Sequence, residues 1–289
     1  MIACVGAALL AIIATTPPVP LPASAPASDF SATRAMADVA VIGRAPHPTG
    51  SAADAQVRAH LIDRLRAMGL AVVTTQSVMD AEGAARLATW SHATATPPLT
   101  NIVALLPGRD RSQPAVLLMA HHDTVWGSPG AADDTAGVAS ILETVRAIKA
   151  AGQPRRDLMV LLTDGEELGL EGAKTFFAGD PRRGHVGVIV NLETRGGGGR
   201  ASMFETGADN GAMMALFNRA VRHPVATSLS VFVYKKLPNS TDYTVAKGLE
   251  VPGFNFAFIG RPSQYHSPTA TPAALDQGAL QDMGRQVLD

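Results

Sequence analysis

Four apolar runs of strand length, at residues 116–120, 158–162, 186–192 and 254–259, each lead into histidines or carboxylates. Runs this short and apolar throughout fit strands buried on both faces, as in a sheet covered by helices on each side. The segments between them are helical in pattern. Residues 137–151 put Val138, Ile141, Leu142, Val145 and Ile148 on one face and close at Gly152 and Pro154. Residues 51–68 start at a capping Ser51, repeat Val57, Leu61, Leu65 and Met68 at helical spacing, and stop at Gly69. Further helices are expected at 172–178, 212–221 and 275–288 and from an opening at 239–243, with further strands at 71–78 and 102–106. This alternation predicts an α/β fold, a three-layer α/β/α sandwich around a central mixed, largely parallel sheet. Such a sheet collects ligands at the carboxyl ends of its strands.

Composition narrows what those ends can hold. The 289 residues carry 24 Lys+Arg against 25 Asp+Glu, so no global basic field exists and nucleic acid is excluded as the main partner. The single cysteine, Cys4, excludes an internal disulfide framework, a cysteine-clamped zinc site and an iron–sulfur cluster. Any metal must sit on histidines and carboxylates.

The first residues differ from the rest. Residues 2–14 are almost wholly apolar and are followed by Pro17, Pro18, Pro20, Pro22 and Pro26. The run is shorter than the roughly 20 residues of a membrane-spanning helix and resembles a signal-peptide core, with Ala23-Ser24-Ala25 as a small-residue cleavage site. No Lys or Arg precedes it, unlike an ordinary signal. Residues 1–28 are therefore expected to be a signal peptide or membrane anchor with a Pro/Ala linker, which implies export or membrane attachment through the N-terminus. Residues 29–289 form the remaining domain, and the helical end at Asp289 leaves a continuation open. Nothing in the sequence sets the oligomeric state.

The strand ends share one chemistry. Residues 116–120 run into His121-His122-Asp123, 158–162 into Asp164-Gly165-Glu166-Glu167, and 186–192 into Glu193; after 254–259 a loop reaches Tyr265-His266. Asp133-Asp134 precedes the helix at 137. Together these form an N/O donor set suited to borderline divalent metals, zinc above all. In a strand, His121 and Asp123 would share a side, letting the Asp123 carboxylate accept the free ring N–H of His121, while His122 would face away. Of the adjacent Glu166 and Glu167, one would ligate and the other would act as general base. His47, His60, His92, His185 and His223 lie away from these motifs and are not expected as ligands.

The motifs resemble those of the co-catalytic di-zinc aminopeptidases, the twenty-eighth metallopeptidase family of clan MH. The resemblance covers residues 42–289 and rests on Ala120-His121-His122-Asp123-Thr124, Pro129-Gly130-Ala131-Ala132-Asp133-Asp134, Asp164-Gly165-Glu166-Glu167-Leu168-Gly169, Asn191-Leu192-Glu193 and Tyr265-His266-Ser267-Pro268. Asn191-Leu192-Glu193-Thr194-Arg195-Gly196 and 255–260 look most like the branch of endoplasmic-reticulum metallopeptidases and membrane-attached bacterial relatives. The resemblance implies two zinc ions bridged by Asp133, one completed by His121 and Glu193, the other by Glu167 and His266. A one-residue slip in that alignment would make Asp134 the bridge. It also implies Glu166 as general base, Asp123 as partner of His121, and peptides as substrates. Glu193 stands where many members have Asp.

Tyr265 is a candidate to stabilise the oxyanion. Asp242 and Arg195 are candidates for substrate contact, and Phe204, Phe232, Tyr243 and Phe258 for the pocket walls. Residues 196–199 read as a flexible glycine loop beside the site. His-Glu-x-x-His and Gly-x-Ser-x-Gly are both absent, which excludes a thermolysin-type protease and the usual serine-hydrolase elbow. The expected function is a zinc aminopeptidase. The alternatives are another metal-dependent amide hydrolase, of carboxypeptidase or acyl-amino-acid type, and a non-catalytic peptidase-like binding domain.

Overall fold

The computed structural model describes residues 2–91 and 95–289. In chain order the elements are α1 (Ile2–Thr15), α2 (Ala32–Ile42), α3 (Ala52–Ala67), β1 (Ala71–Ser77), α4 (Ala81–Ser91), β2 (Leu99–Leu106), β3 (Ala115–His121), α5 (Thr135–Ala151) and β4 (Leu158–Thr163). They continue with α6 (Glu171–Gly179), β5 (Val186–Thr194), β6 (Ser202–Thr206), α7 (Gly211–Ala220), α8 (Ser228–Tyr234), α9 (Asp242–Gly248), β7 (Gly253–Phe258) and α10 (Gln277–Leu288).

One seven-stranded sheet runs in the order β1-β2-β4-β3-β5-β7-β6. Its four central strands are parallel, and β1, β2 and β6 join antiparallel. The sheet is thus mixed, with its parallel part where the sequence carries doubly apolar runs. Leu118, Ala120, Val160 and Leu162 face one way, onto a core with α2, α3, α5 and α10. Leu117, Met119, Met159 and Leu161 face the other, onto Phe176 and Phe177 of α6 and Tyr243 and Ala246 of α9. β3 connects through α5 to β4 on one side of it, and the chain then crosses to β5 on the other. That reversal opens a crevice beyond the carboxyl ends of β3, β4 and β5.

Some elements lay outside the sequence pattern. α2, α4, β6 and α8 were not expected. Residues 17–28, expected as a linker, are seated on the domain together with Asp29. Ser31 Oγ donates to the carbonyls of Leu21 and Pro22, at 2.8 and 2.9 Å. Arg34 reaches the carbonyls of Ala23, Ala25 and Asp29, and Arg146 those of Ala27 and Asp29. Residues 196–199 are not a free loop either: Gly198 pairs with Gly260 as an antiparallel bridge, and Asp276 N donates to the Gly197 carbonyl at 2.9 Å.

The close approach of α6 to the end of β4 matters for the site. A Cβ at Gly172 would lie 2.4 Å from Asn101 Oδ1 and 2.5 Å from the Asp164 carbonyl oxygen. Gly172→Ala is therefore expected to push α6 off the 164–167 turn, lowering unfolding stability by about 1–3 kcal/mol in urea titration. It should lower hydrolytic activity as well, because that turn carries Glu166 and Glu167.

Candidate active site and metal centre

β3 ends at His121, so Asp123 lies outside the strand. This changes the expected contact. The Asp123 main-chain carbonyl, at 2.9 Å, accepts from His121 Nδ1, while its carboxylate Oδ1 is 3.5 Å away. The carbonyl can only accept, so Nδ1 holds a proton, and Nε2 is the nitrogen left to face the neighbouring carboxylates. The Asp123 carboxylate instead accepts from the backbone N–H groups of Glu166 (3.1 Å) and Glu167 (3.4 Å), and from Thr49 Oγ1 (3.3 Å). It thereby fixes the turn that presents both glutamates.

That turn begins at Asp164, which accepts from Thr100 N at 2.8 Å and Thr49 Oγ1 at 2.9 Å. Gly165 makes the reversal at φ +73°, where a Cβ would also meet Leu99 Cδ2 at 2.7 Å. His122 faces away as expected; its Nε2 is 3.1 Å from the Thr100 carbonyl and its Nδ1 is 3.0 Å from Asp54 Oδ1.

Asp133 stands between the two imidazoles. Its Oδ1 lies 3.1 Å from His121 Nε2 and its Oδ2 lies 3.0 Å from His266 Nε2. Glu193 Oε1 is 3.7 Å from His121 Nε2, and Glu167 Oε1 is 3.1 Å from His266 Nε2. Asp134 does something else: it is the N-cap of α5, its Oδ1 accepting from Gly137 N at 3.2 Å. The two triads, His121–Asp133–Glu193 and Asp133–Glu167–His266, each bring their donor atoms within 4.8 Å of one another.

This arrangement fits metal ions. His121 Nε2 faces the carboxylates of Asp133 and Glu193, which, against its burial and with Asp123, raise its pKa well above the usual value when no cation takes the proton's place. Glu167 Oε1 is buried without a well-directed hydrogen bond. Such a set calls for a cation, and spacings of 3.0–3.7 Å bracket the edge of a tetrahedron around zinc, about 3.3 Å. The protonation balance without a cation says the same. Burial pushes Glu166 and Asp134 well above the carboxylate range and lifts Glu167 and Glu193 to about 7. Against its own burial, His266 is raised to about 10 by Asp133 and Glu167, and against the burial of Asp133 the two imidazoles of His121 and His266 hold that carboxyl low.

A cavity of about 480 Å³ opens beside these groups. Asp133, Glu166 and Glu193 form its inner end, while Phe204, Val233, Tyr234, Leu237, Ala257 and Ile259 form apolar walls. Of the four aromatic residues expected there, only Phe204 lines it. Phe232 is exposed on α8, and Tyr243 and Phe258 are core residues. Tyr265 lines the cavity with its ring stacked on His266, centroids 3.7 Å apart, and exposed Arg195 lies 5.3 Å above the same ring. Burial pushes the Tyr265 phenol up, so its hydroxyl stays protonated and able to donate.

Asp242 is placed differently from a substrate contact. It opens α9, is buried, and accepts a hydrogen bond from Thr163 behind the cavity wall formed by Asn239, Ser240 and Thr241. Burial raises its carboxyl to about 6. The folded protein therefore keeps this proton between about pH 4 and 6, where the unfolded chain has released it, and stability falls as pH rises through that window. Relative to wild type, Asp242→Asn should gain on the order of 3 kcal/mol in unfolding stability between pH 4 and pH 7, read from urea unfolding at both.

The other histidines serve elsewhere. His60 pairs with Asp38 at 3.0 Å, His185 with Asp157 at 3.2 Å, and His47 with the Ala45 carbonyl at 2.9 Å; His223 is exposed. His92 lies outside the described residues.

A doubly covered sheet thus carries at its carboxyl edge an acid–imidazole set of the kind that binds divalent metal ions. The model of "Peptidase family M28" matches residues 101–289. The chain belongs to peptidase family M28. It is 31% identical over 194 residues to endoplasmic reticulum metallopeptidase 1 of Mus musculus, covering 66% of this chain and 22% of that protein. It is 34% identical over 237 residues to the vacuolar membrane protease of Candida dubliniensis, covering 80% and 24% respectively. The chain thus spans about a quarter or less of these relatives' length. Its fold is that of an aminopeptidase from Aneurinibacillus sp. strain AM-1, with TM-score 0.70 and 14% identity over 91% of this chain and 93% of the other.

Proposed function

We propose that this chain is an aminopeptidase that holds two zinc ions and releases the N-terminal residue of peptides. The observation that carries the reading is the Asp133 carboxylate, whose two oxygens each approach a different imidazole with a further glutamate beside it. His121, Asp133 and Glu193 would hold one ion, and Asp133, Glu167 and His266 the other. Bound there, the ions would supply Lewis acidity toward water and the scissile carbonyl.

The chain's own groups do the rest. Glu166, held through its backbone by Asp123, takes a proton from water and passes it to the leaving amine. Its raised pKa suits it to hold that proton between the two steps. Tyr265 can donate its hydroxyl to the developing oxyanion. The carboxylates at the inner end of the cavity favour a substrate ammonium over a carboxylate, which supports an aminopeptidase above a carboxypeptidase. The apolar walls favour a large aliphatic or aromatic first side chain. We also propose attachment of residues 1–28 to a membrane, or export by them, in keeping with the membrane named for the Candida relative. Among the described residues, no helix is long and apolar enough to cross a membrane.

Aminoacyl-anilides test the reading. Leucyl- or phenylalanyl-anilide should be cleaved, with glycyl-anilide roughly 10- to 200-fold slower. Acetylated substrates should be inert, and a chelator should abolish turnover until zinc is restored. Equal rates on blocked substrate would overturn the aminopeptidase assignment, and chelator-insensitive turnover the metal assignment.

A further inference from the structure

α8 packs on the domain through Tyr234, whose ring lies edge-on against Phe204 with centroids 4.7 Å apart. Its other side faces solvent: Leu229 is 66% and Phe232 61% exposed, and Leu237 just beyond the helix is 45% exposed. Lys235 and Lys236 follow immediately, both exposed, and the Lys236 Nζ sits 5.7 Å over the Phe232 ring. A second apolar surface reaches the same rim. Arg200, which lines the cavity, donates to the Ala14 carbonyl at 3.3 Å, and α1 leads there with Leu10 and Ile13 each 69% exposed and no charged residue along its length.

We propose that this rim docks on an anionic bilayer, with Leu229, Phe232 and Leu237 among the headgroups and Lys235 and Lys236 at the phosphates. Apolar side chains beside lysines on a surface helix are the pattern of interfacial attachment. The sign suits anionic lipid, toward which each lysine contributes separately. A two-fold contact with a second copy centred on α8 is disfavoured, because an isologous patch would bring both lysine pairs together. The cavity mouth then opens against the lipid surface, where apolar N-termini of membrane-bound peptides are concentrated. Docking needs neither metal nor turnover, so it stands or falls separately from the peptidase reading.

The test uses the full chain with vesicles of phosphatidylcholine alone or mixed 3:1 with phosphatidylglycerol. Flotation should favour the anionic vesicles, and Lys235→Gln/Lys236→Gln should weaken that binding roughly 30-fold. Anilide turnover by this variant in vesicle-free solution should stay at the wild-type rate. With brominated acyl chains, Phe232→Trp should add quenched emission to the background of Trp90 and Trp126. Equal binding to both vesicle types would overturn the proposal. So would a vesicle-bound Phe232→Trp protein with no added quenching, since α1 alone would then carry attachment. A dimer in sedimentation that the lysine variant dissociates would assign the surface to a second copy instead.

Discussion

Glu166→Gln is expected to lower kcat on a leucyl-anilide by about 10²- to 10⁴-fold, with KM changed little and bound zinc unchanged. The substitution keeps shape and removes only the ability to accept a proton. The backbone of residue 166 stays in place because its N–H donates to Asp123, a contact the side chain does not enter. Glu166 also stands outside both triads that share Asp133, so metal content should survive. Its carboxylate does form a third grouping with His121 and Glu167, within 4.8 Å. Zinc analysis of the variant therefore decides its role. Lost rate with retained zinc supports a base, whereas lost rate with lost zinc would make Glu166 a ligand.

Asp133→Ala should have the larger effect on metal. It removes both oxygens that approach His121 and His266, so zinc affinity should fall by more than the roughly 10- to 100-fold that follows loss of an outer partner. Activity should vanish with it, and excess zinc should not restore it fully. Asp134→Ala provides the contrast. Its carboxylate caps α5 through Gly137 N, so that variant should lose about 1 kcal/mol of stability and keep its zinc. If Asp134→Ala lost zinc and Asp133→Ala kept it, the bridge would belong to Asp134.

How much of this could be read in the sequence follows from burial. The central strands were legible because both faces are covered, leaving uninterrupted apolar runs. β6 was not, since it is a five-residue edge strand whose buried Glu205 pairs with Lys247 and breaks the apolar pattern. The donors at strand ends were legible as well, because the sheet brings them to one edge. The Asp123 contact was only half legible: spacing put it beside His121, but the strand stops at His121, so the main chain rather than the carboxylate meets the ring. The cavity wall was mostly hidden. α8 is only seven residues long, and a single turn or two with alternating bulk gives no period to recognise. Thr49 was missed because nothing local marks a hydroxyl that reaches across the fold to Asp123 and Asp164.

The seat of residues 17–29 has a consequence for how that segment can vary over time. Arg34, Arg146 and Ser31 reach it through carbonyl oxygens at Leu21, Pro22, Ala23, Ala25, Ala27 and Asp29. Every residue type supplies that acceptor, proline included. These carbonyl contacts are therefore indifferent to side-chain identity, whereas Leu21 N–H, which donates to Gln281 Oε1 at 2.8 Å, excludes proline at that position. Substitutions elsewhere along the segment can accumulate without loosening these contacts, while a change at Arg34 or Arg146 releases several at once.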